Sequence, residues 1–191
     1  RYLPPAMVEN IRAIDTLALG GEEREISVVF ADVRGFTGFS EQLEPEELMA
    51  IINRYLEVAS DAIHLYEGII DKYMGDAVVG LYNTQLNPQE DDHALRAIRA
   101  AMSMVYDVKA LHDLMPPGAR LWYGIGIDTG LAVLGNVGSE ERKEFTALGH
   151  PVAHAKQLQE AAERGEIIIS EATYQRVRDR IDVEPVQRPF R

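Results

Sequence analysis

Two aspartates carry the most chemistry in this sequence. Asp32 follows the apolar run Val28-Val29-Phe30-Ala31, and Asp76 belongs to the Gly75-Asp76 dipeptide between two apolar runs. Each stands at the end of an expected strand, where a sheet can aim it. If those strands are neighbours, the two carboxylates converge. Hard oxygens from one or two carboxylates, completed by phosphate oxygens, suit magnesium. Aspartate is also a common turn former, so either residue alone has a plainer explanation. The pair and its surroundings are what point to chemistry. After Asp32 the stretch Val33-Arg34-Gly35-Phe36-Thr37 turns at glycine toward a helical segment. Free backbone N–H groups at such a turn can cradle phosphates.

The elements that must position these residues follow from periodicity and breakers. Ile26 to Phe30 reads as a buried strand. Pro45 and the two glutamates after it open a long amphipathic helix through about Tyr66. Gly68 to Met74 and Ala77 to Tyr82 read as two strands joined at Gly75-Asp76. Pro88 is expected to begin a helix that runs to about Met115 and stops at Pro116-Pro117-Gly118. Leu121 to Asp128 and Leu131 to Val137 are expected to form a strand pair turned at Thr129-Gly130. Pro151 to Ala162 reads as a helix, Glu166 to Ile169 as a strand, Glu171 to Arg178 as a short helix and Ile181 to Val186 as a last strand. Hairpins mixed with helices predict an α+β fold, a mostly antiparallel sheet flanked by helices.

Composition narrows the partners. The 191 residues suffice for one domain with a substantial core. A formal net charge of −12 repels nucleic-acid backbones, so no nucleic-acid partner is expected. The chain has no cysteine, which excludes thiolate catalysis and disulfides and fits a reducing cytoplasm. No run approaches the roughly 18 apolar residues of a membrane span. Residues 1–24, helical from Arg1 to Ile14, read as a lead-in from a larger upstream protein, and 25–191 as the domain itself, truncated near its C-terminal end. An upstream sensor is expected to be missing. The expected location is the cytoplasm, whether or not the parent protein is membrane-attached.

The motifs resemble those of class III adenylyl and guanylyl cyclases. Phe30-Ala31-Asp32-Val33-Arg34-Gly35-Phe36-Thr37 is similar to the family's FADxxGFT signature, and Asp71-Lys72-Tyr73-Met74-Gly75-Asp76 to its (I/D)KxxGD hairpin. Gly124-Ile125-Gly126-Ile127-Asp128-Thr129-Gly130 and Gly135-Asn136-Val137-Gly138-Ser139 resemble its GIGIxxG and GNxGS segments. Thr146-Ala147-Leu148-Gly149 stands where the family selects the base. The resemblance implies the ferredoxin-like-derived cyclase fold, a head-to-tail homodimer with shared sites, and two Mg2+ or Mn2+ ions. Asp32, Asp76 and the Val33 carbonyl would bind the metals, and backbone N–H groups of Arg34, Gly35, Phe36 and Thr37 would hold phosphates. Lys72 and Thr146 of the opposite subunit would read the base, a bacterial IIIb-like pair that favours ATP over GTP. Arg188 would grip phosphate, although Pro189 replaces the glycine of the family's turn.

One helix departs from the family pattern. Relatives read roughly GDxVNxAARL, and here the stretch is Gly149-His150-Pro151-Val152-Ala153-His154-Ala155-Lys156-Gln157-Leu158. Ala153 falls at the ribose-orienting asparagine and Gln157 at the transition-state arginine. The resemblance therefore implies an adenylate cyclase with impaired turnover. The alternative is a degenerate module that binds nucleotide or regulates, or one half of a heterodimer. His154 and Lys156 neighbour the altered positions, but helix neighbours point about 100° apart. His150 and His154 share a face at the spacing of a metal pair. With no third ligand near them in sequence, they read as surface imidazoles.

Overall fold

The computed structural model describes residues 21–35, 43–139 and 143–187. The expected lead-in helix, the segment with Phe36 and Thr37, and Arg188 lie outside the described residues. A six-stranded sheet runs β2 (Ile69–Met74), β3 (Ala77–Tyr82), β1 (Glu22–Arg34), β4 (Trp122–Gly138), β5 (Lys143–Leu148), with β6 (Glu166–Ile169) also paired to β4. All pairings are antiparallel except β4 with β6. Helices α1 (Pro45–Leu65), α2 (His93–Asp113), α3 (His150–Ala161) and α4 (Glu171–Val177) flank it. No helix among the described residues is long and apolar enough to cross a membrane.

Strand β1 is buried on both faces, which is why it reads as an unbroken apolar run. Val29, Ala31 and Val33 face a core built with α1 and α2, while Ile26, Val28 and Phe30 face a second core closed by Phe145, Ala147, Val152 and Ala155. Asp32 continues the second set, on the face that α3 covers. The α1 stripe Ile52, Tyr55, Ala59, Ala62 and Ile63 is buried at helical spacing. Tyr55 clamps the start of β4: its hydroxyl donates to the Ala119 carbonyl at 2.7 Å and accepts from the Leu121 N–H at 2.8 Å.

Four local expectations need correction. No hairpin turns at Thr129-Gly130, because β4 runs unbroken for 17 residues. Gly130 serves close packing instead, since a Cβ there would lie 3.1 Å from Pro151 at the start of α3. Helix α2 begins at His93 rather than Pro88. The preceding residues are held as turns by Asn83, whose Oδ1 accepts from the Gln89 N–H at 2.7 Å, and by Asn87, whose Oδ1 accepts from the Thr84 N–H at 3.0 Å. Ile181 to Val186 is irregular, not a strand. Finally, Lys143–Leu148 forms β5 along the second half of β4, a strand not expected from the sequence.

Candidate active site

Asp32 and Asp76 meet. In the β1–β3 ladder Asp32 lies opposite Ala77, the residue after Asp76, and Gly75 (φ 65°) makes the tight turn that presents Asp76. Burial lifts the Asp32 carboxyl to about 6, and the adjoining Asp76 adds to the rise by its charge and by a carboxyl–carboxyl hydrogen bond. The Arg34 guanidinium and a hydrogen bond from Gln159 pull in the opposite direction. The Arg34 Nη1 lies 3.8 Å from the Asp32 Oδ2, and the Gln159 Nε2 donates to that oxygen at 3.2 Å. The Asp32 Oδ1 is buried with no hydrogen-bond partner. Two crowded carboxylates with an unsatisfied inward oxygen are a fitting donor set for a hard divalent cation.

Glycines of β4 make room for this arrangement. A Cβ at Gly124 would come within 2.4 Å of the Arg34 Nε, so only glycine lets that side chain lie across the strand. A Cβ at Gly126 would fall 2.2 Å from the Ala155 carbonyl oxygen and 2.3 Å from the Gln159 nitrogen. Helix α3 therefore rests backbone to backbone on β4, which brings Gln159 to Asp32 and lets the Arg34 Nη2 donate to the Gln159 carbonyl. Beside the carboxylates, an open groove of about 520 Å3 is lined by Arg34, Gly35, Glu160, Ala162, Glu163 and Arg164. Gly35 turns there with φ 89°.

The other expected site residues fall in two groups. Val33 packs its side chain in the core one residue beyond Asp32. Lys72 is exposed on β2, its Nζ 3.4 Å from the buried Asp71 carboxylate. Thr146, on β5, is buried, and its Oγ1 has no hydrogen-bond partner. Strands β2 and β5 touch although they lie at opposite ends of the sheet order, so Lys72 and Thr146 belong to neighbouring strands. Ala153 and Gln157 are both exposed on α3, one turn apart, on the side turned away from the sheet. Neither His154 nor Lys156 leans into their place: the His154 Nδ1 lies 3.0 Å from Asp128, and the Lys156 Nζ lies 3.6 Å from Glu160.

Sequence reasoning missed the side chains of Gln159, Arg34 and Asp71. Gln159 was findable in principle, since it lies one helical turn after Ala155 on the buried stripe, where a polar residue needs a partner.

A carboxylate near the end of β1 and another in the adjoining β2–β3 turn, beside the glycine turn at Gly35 and under the strand-packed helix α3, form a compact acidic cluster whose donor set suits a hard divalent cation. Residues 21–188 match the family described as the adenylate and guanylate cyclase catalytic domain. The chain is 31% identical over 162 residues to an adenylate cyclase of Anabaena cylindrica, covering 83% of this chain and 32% of that protein. Among solved structures it resembles the adenylyl cyclase CyaB from P. aeruginosa, with TM-score 0.79, 32% identity, and coverage of 90% of this chain and 93% of that one. It also resembles the guanylyl cyclase Cya2, with TM-score 0.80, 34% identity, and coverage of 87% and 84%. The chain thus belongs to the adenylate and guanylate cyclase catalytic domain family. It spans only about a quarter to a third of the length of the curated relatives it matches.

Proposed function

We propose that this domain converts ATP to cyclic AMP and pyrophosphate with two divalent cations, at a site shared between two copies of the chain. The observation that carries the reading is the Asp32–Asp76 pair, in which burial and then the neighbouring carboxylate lift the Asp32 carboxyl to about 6 while its buried Oδ1 has no partner. Asp32, Asp76 and the Val33 carbonyl would hold Mg2+ or Mn2+. The bound ions would lower the pKa of the ribose 3′-hydroxyl and screen the leaving pyrophosphate.

The chain's own groups would divide the remaining work. Arg34 and Gln159 hold Asp32 in one orientation. Backbone N–H groups of the Arg34-Gly35 turn, continued by Phe36 and Thr37, receive the triphosphate, and Arg188 adds a guanidinium from the C-terminal segment. On the opposing subunit the unpartnered Thr146 hydroxyl and the Lys72 ammonium read the base. A lysine donor beside a hydroxyl suits the adenine edge, which supports ATP over GTP.

Support for the second copy comes from two features. Ala153 and Gln157 point away from their own Asp32, toward whatever covers the outer side of α3. Tyr73, Met74, Leu131, Val133, Val137 and Leu148 are exposed on β2, β4 and β5, an apolar surface that a partner would cover. Turnover is lowered because Ala153 offers no side-chain amide and Gln157 no guanidinium where a nucleotide cyclase needs them. Losing one preorganised donor typically costs about 100- to 1000-fold in rate.

Purified protein supplied with ATP or GTP and MnCl2 or MgCl2, read for cyclic nucleotide, tests this. Cyclic AMP that disappears in Asp32→Ala is the expected result. Thermal stabilisation by ATP without product would replace the reading with a nucleotide-binding module, the alternative that Ala153 and Gln157 favour.

A further inference from the structure

Asp128 lies four residues beyond Gly124 on β4, about 13 Å along the strand from the partner of Asp32. Its side chain is only 4% exposed. One oxygen, Oδ1, accepts from the Thr129 N–H at 2.8 Å. The other, Oδ2, faces the first turn of α3, with the His154 Nδ1 at 3.0 Å and the His150 Nδ1 at 3.7 Å. The two imidazole rings lie 5.1 Å apart between centroids. All three ligand atoms fall within 4.8 Å of one another. The histidines therefore do have a third partner, brought from 22 residues upstream of His150 by the packing of α3 on β4.

We propose that Asp128, His150 and His154 form a second cation site, specific for a transition metal of the zinc type. Two imidazole nitrogens and one carboxylate oxygen are a borderline-soft donor set that suits zinc, whereas the all-oxygen Asp32–Asp76 pair suits magnesium or manganese. Nitrogen and oxygen ligands at about 2.0–2.2 Å require only a small contraction of the observed spacing, by rotation of the exposed His150 ring. The Thr129 N–H fixes the carboxylate from behind, as outer-sphere groups do around bound metals. His150 is 81% exposed, which leaves a route for the ion and an open coordination position. A buried carboxylate also requires compensating charge, which an ion at this point supplies. The bound ion would pin the first turn of α3 to β4, and α3 carries Ala153, Gln157 and Gln159.

Chelator-stripped protein titrated with ZnCl2 by calorimetry tests the site, alongside cobalt(II) absorption as a geometry probe. To silence the first site, the titration is repeated in an Asp32→Asn, Asp76→Asn background. One zinc per chain should remain there. His154→Ala should weaken binding by more than the roughly 10- to 100-fold that outer-sphere changes cost. His150→Ala should do the same, and because that side chain is exposed its loss leaves the fold intact. Zinc binding that survives both histidine substitutions, or that vanishes with Asp32 and Asp76, overturns the proposal.

Discussion

Replacing Asp32 by asparagine should make the metal-free domain more stable, although it removes a carboxylate proposed to hold the catalytic cations. The structure sets the size of the effect. A rise of the carboxyl from 3.8 to about 6 corresponds to about 3 kcal/mol of bias against its ionised form. The side chain retains 25% exposure, and solvent screening reduces the expected gain to about 1–2 kcal/mol. The sign follows from linkage. A carboxyl whose folded pKa lies above its unfolded value contributes no penalty below 3.8; the penalty grows until the pH passes about 6 and is complete above it. In EDTA at pH 8, Asp32→Asn should therefore melt about 3–6 °C above wild type. The difference should close below pH 4. Adding MnCl2 at pH 8 should reverse the order, because only the wild type keeps both carboxylates to bind it. Melting curves across pH with EDTA or MnCl2 provide the assay. A variant no more stable than wild type at pH 8 in EDTA would refute the account of a crowded, desolvated pair.

Further outcomes follow from other contacts. Gly126→Ala should destabilise by about 1–3 kcal/mol in chemical denaturation, since its methyl would meet the α3 backbone, and should also lower activity by shifting Gln159. Ala153→Asn with Gln157→Arg should raise turnover by about 100-fold or more in the cyclic nucleotide assay; no gain would mean these side chains do not reach the substrate. His93 is buried, with the Ser27 Oγ 2.8 Å from its Nδ1, and burial holds its pKa below 6.5. Its contribution to stability is full above pH 6.5 and declines as pH falls through the depressed value. His93→Gln should remove that acid-side decline when melting is followed from pH 7.5 to 5.

What could be read from the sequence was local, and what escaped was tertiary. Asp32 at the end of an apolar run and Asp76 in a two-residue turn announce their positions by short-range chemistry, and the ladder brought them together as expected. Gly130 misled because glycine permits both turns and close packing, and only the position of Pro151 distinguishes the two. The residues after Pro88 were expected to be helical, yet Asn83 and Asn87 hold them as turns through side-chain bonds that compete with the helix. Ile181 to Val186 has strand-like residues, but Ile181 packs on the core beside α4 and no described strand pairs with this segment. Gln159 left a trace in the sequence as a polar residue on the buried stripe of α3, but its partner Asp32, like the meeting of Asp128 with His154, comes from how α3 lies on β4.

That seam between α3 and β4 separates two things an enzyme usually keeps joined. The helix is anchored through main-chain atoms at Gly126 and small buried residues such as Ala155, while the residues at 153 and 157 stand free on the outer side. Under the proposed function, substitutions there would tune or silence chemistry with little penalty to the scaffold, because both positions are exposed. On that reading, a lineage carrying this architecture would move between fast and quiescent forms by exchanging two surface side chains while the buried seam stayed unchanged.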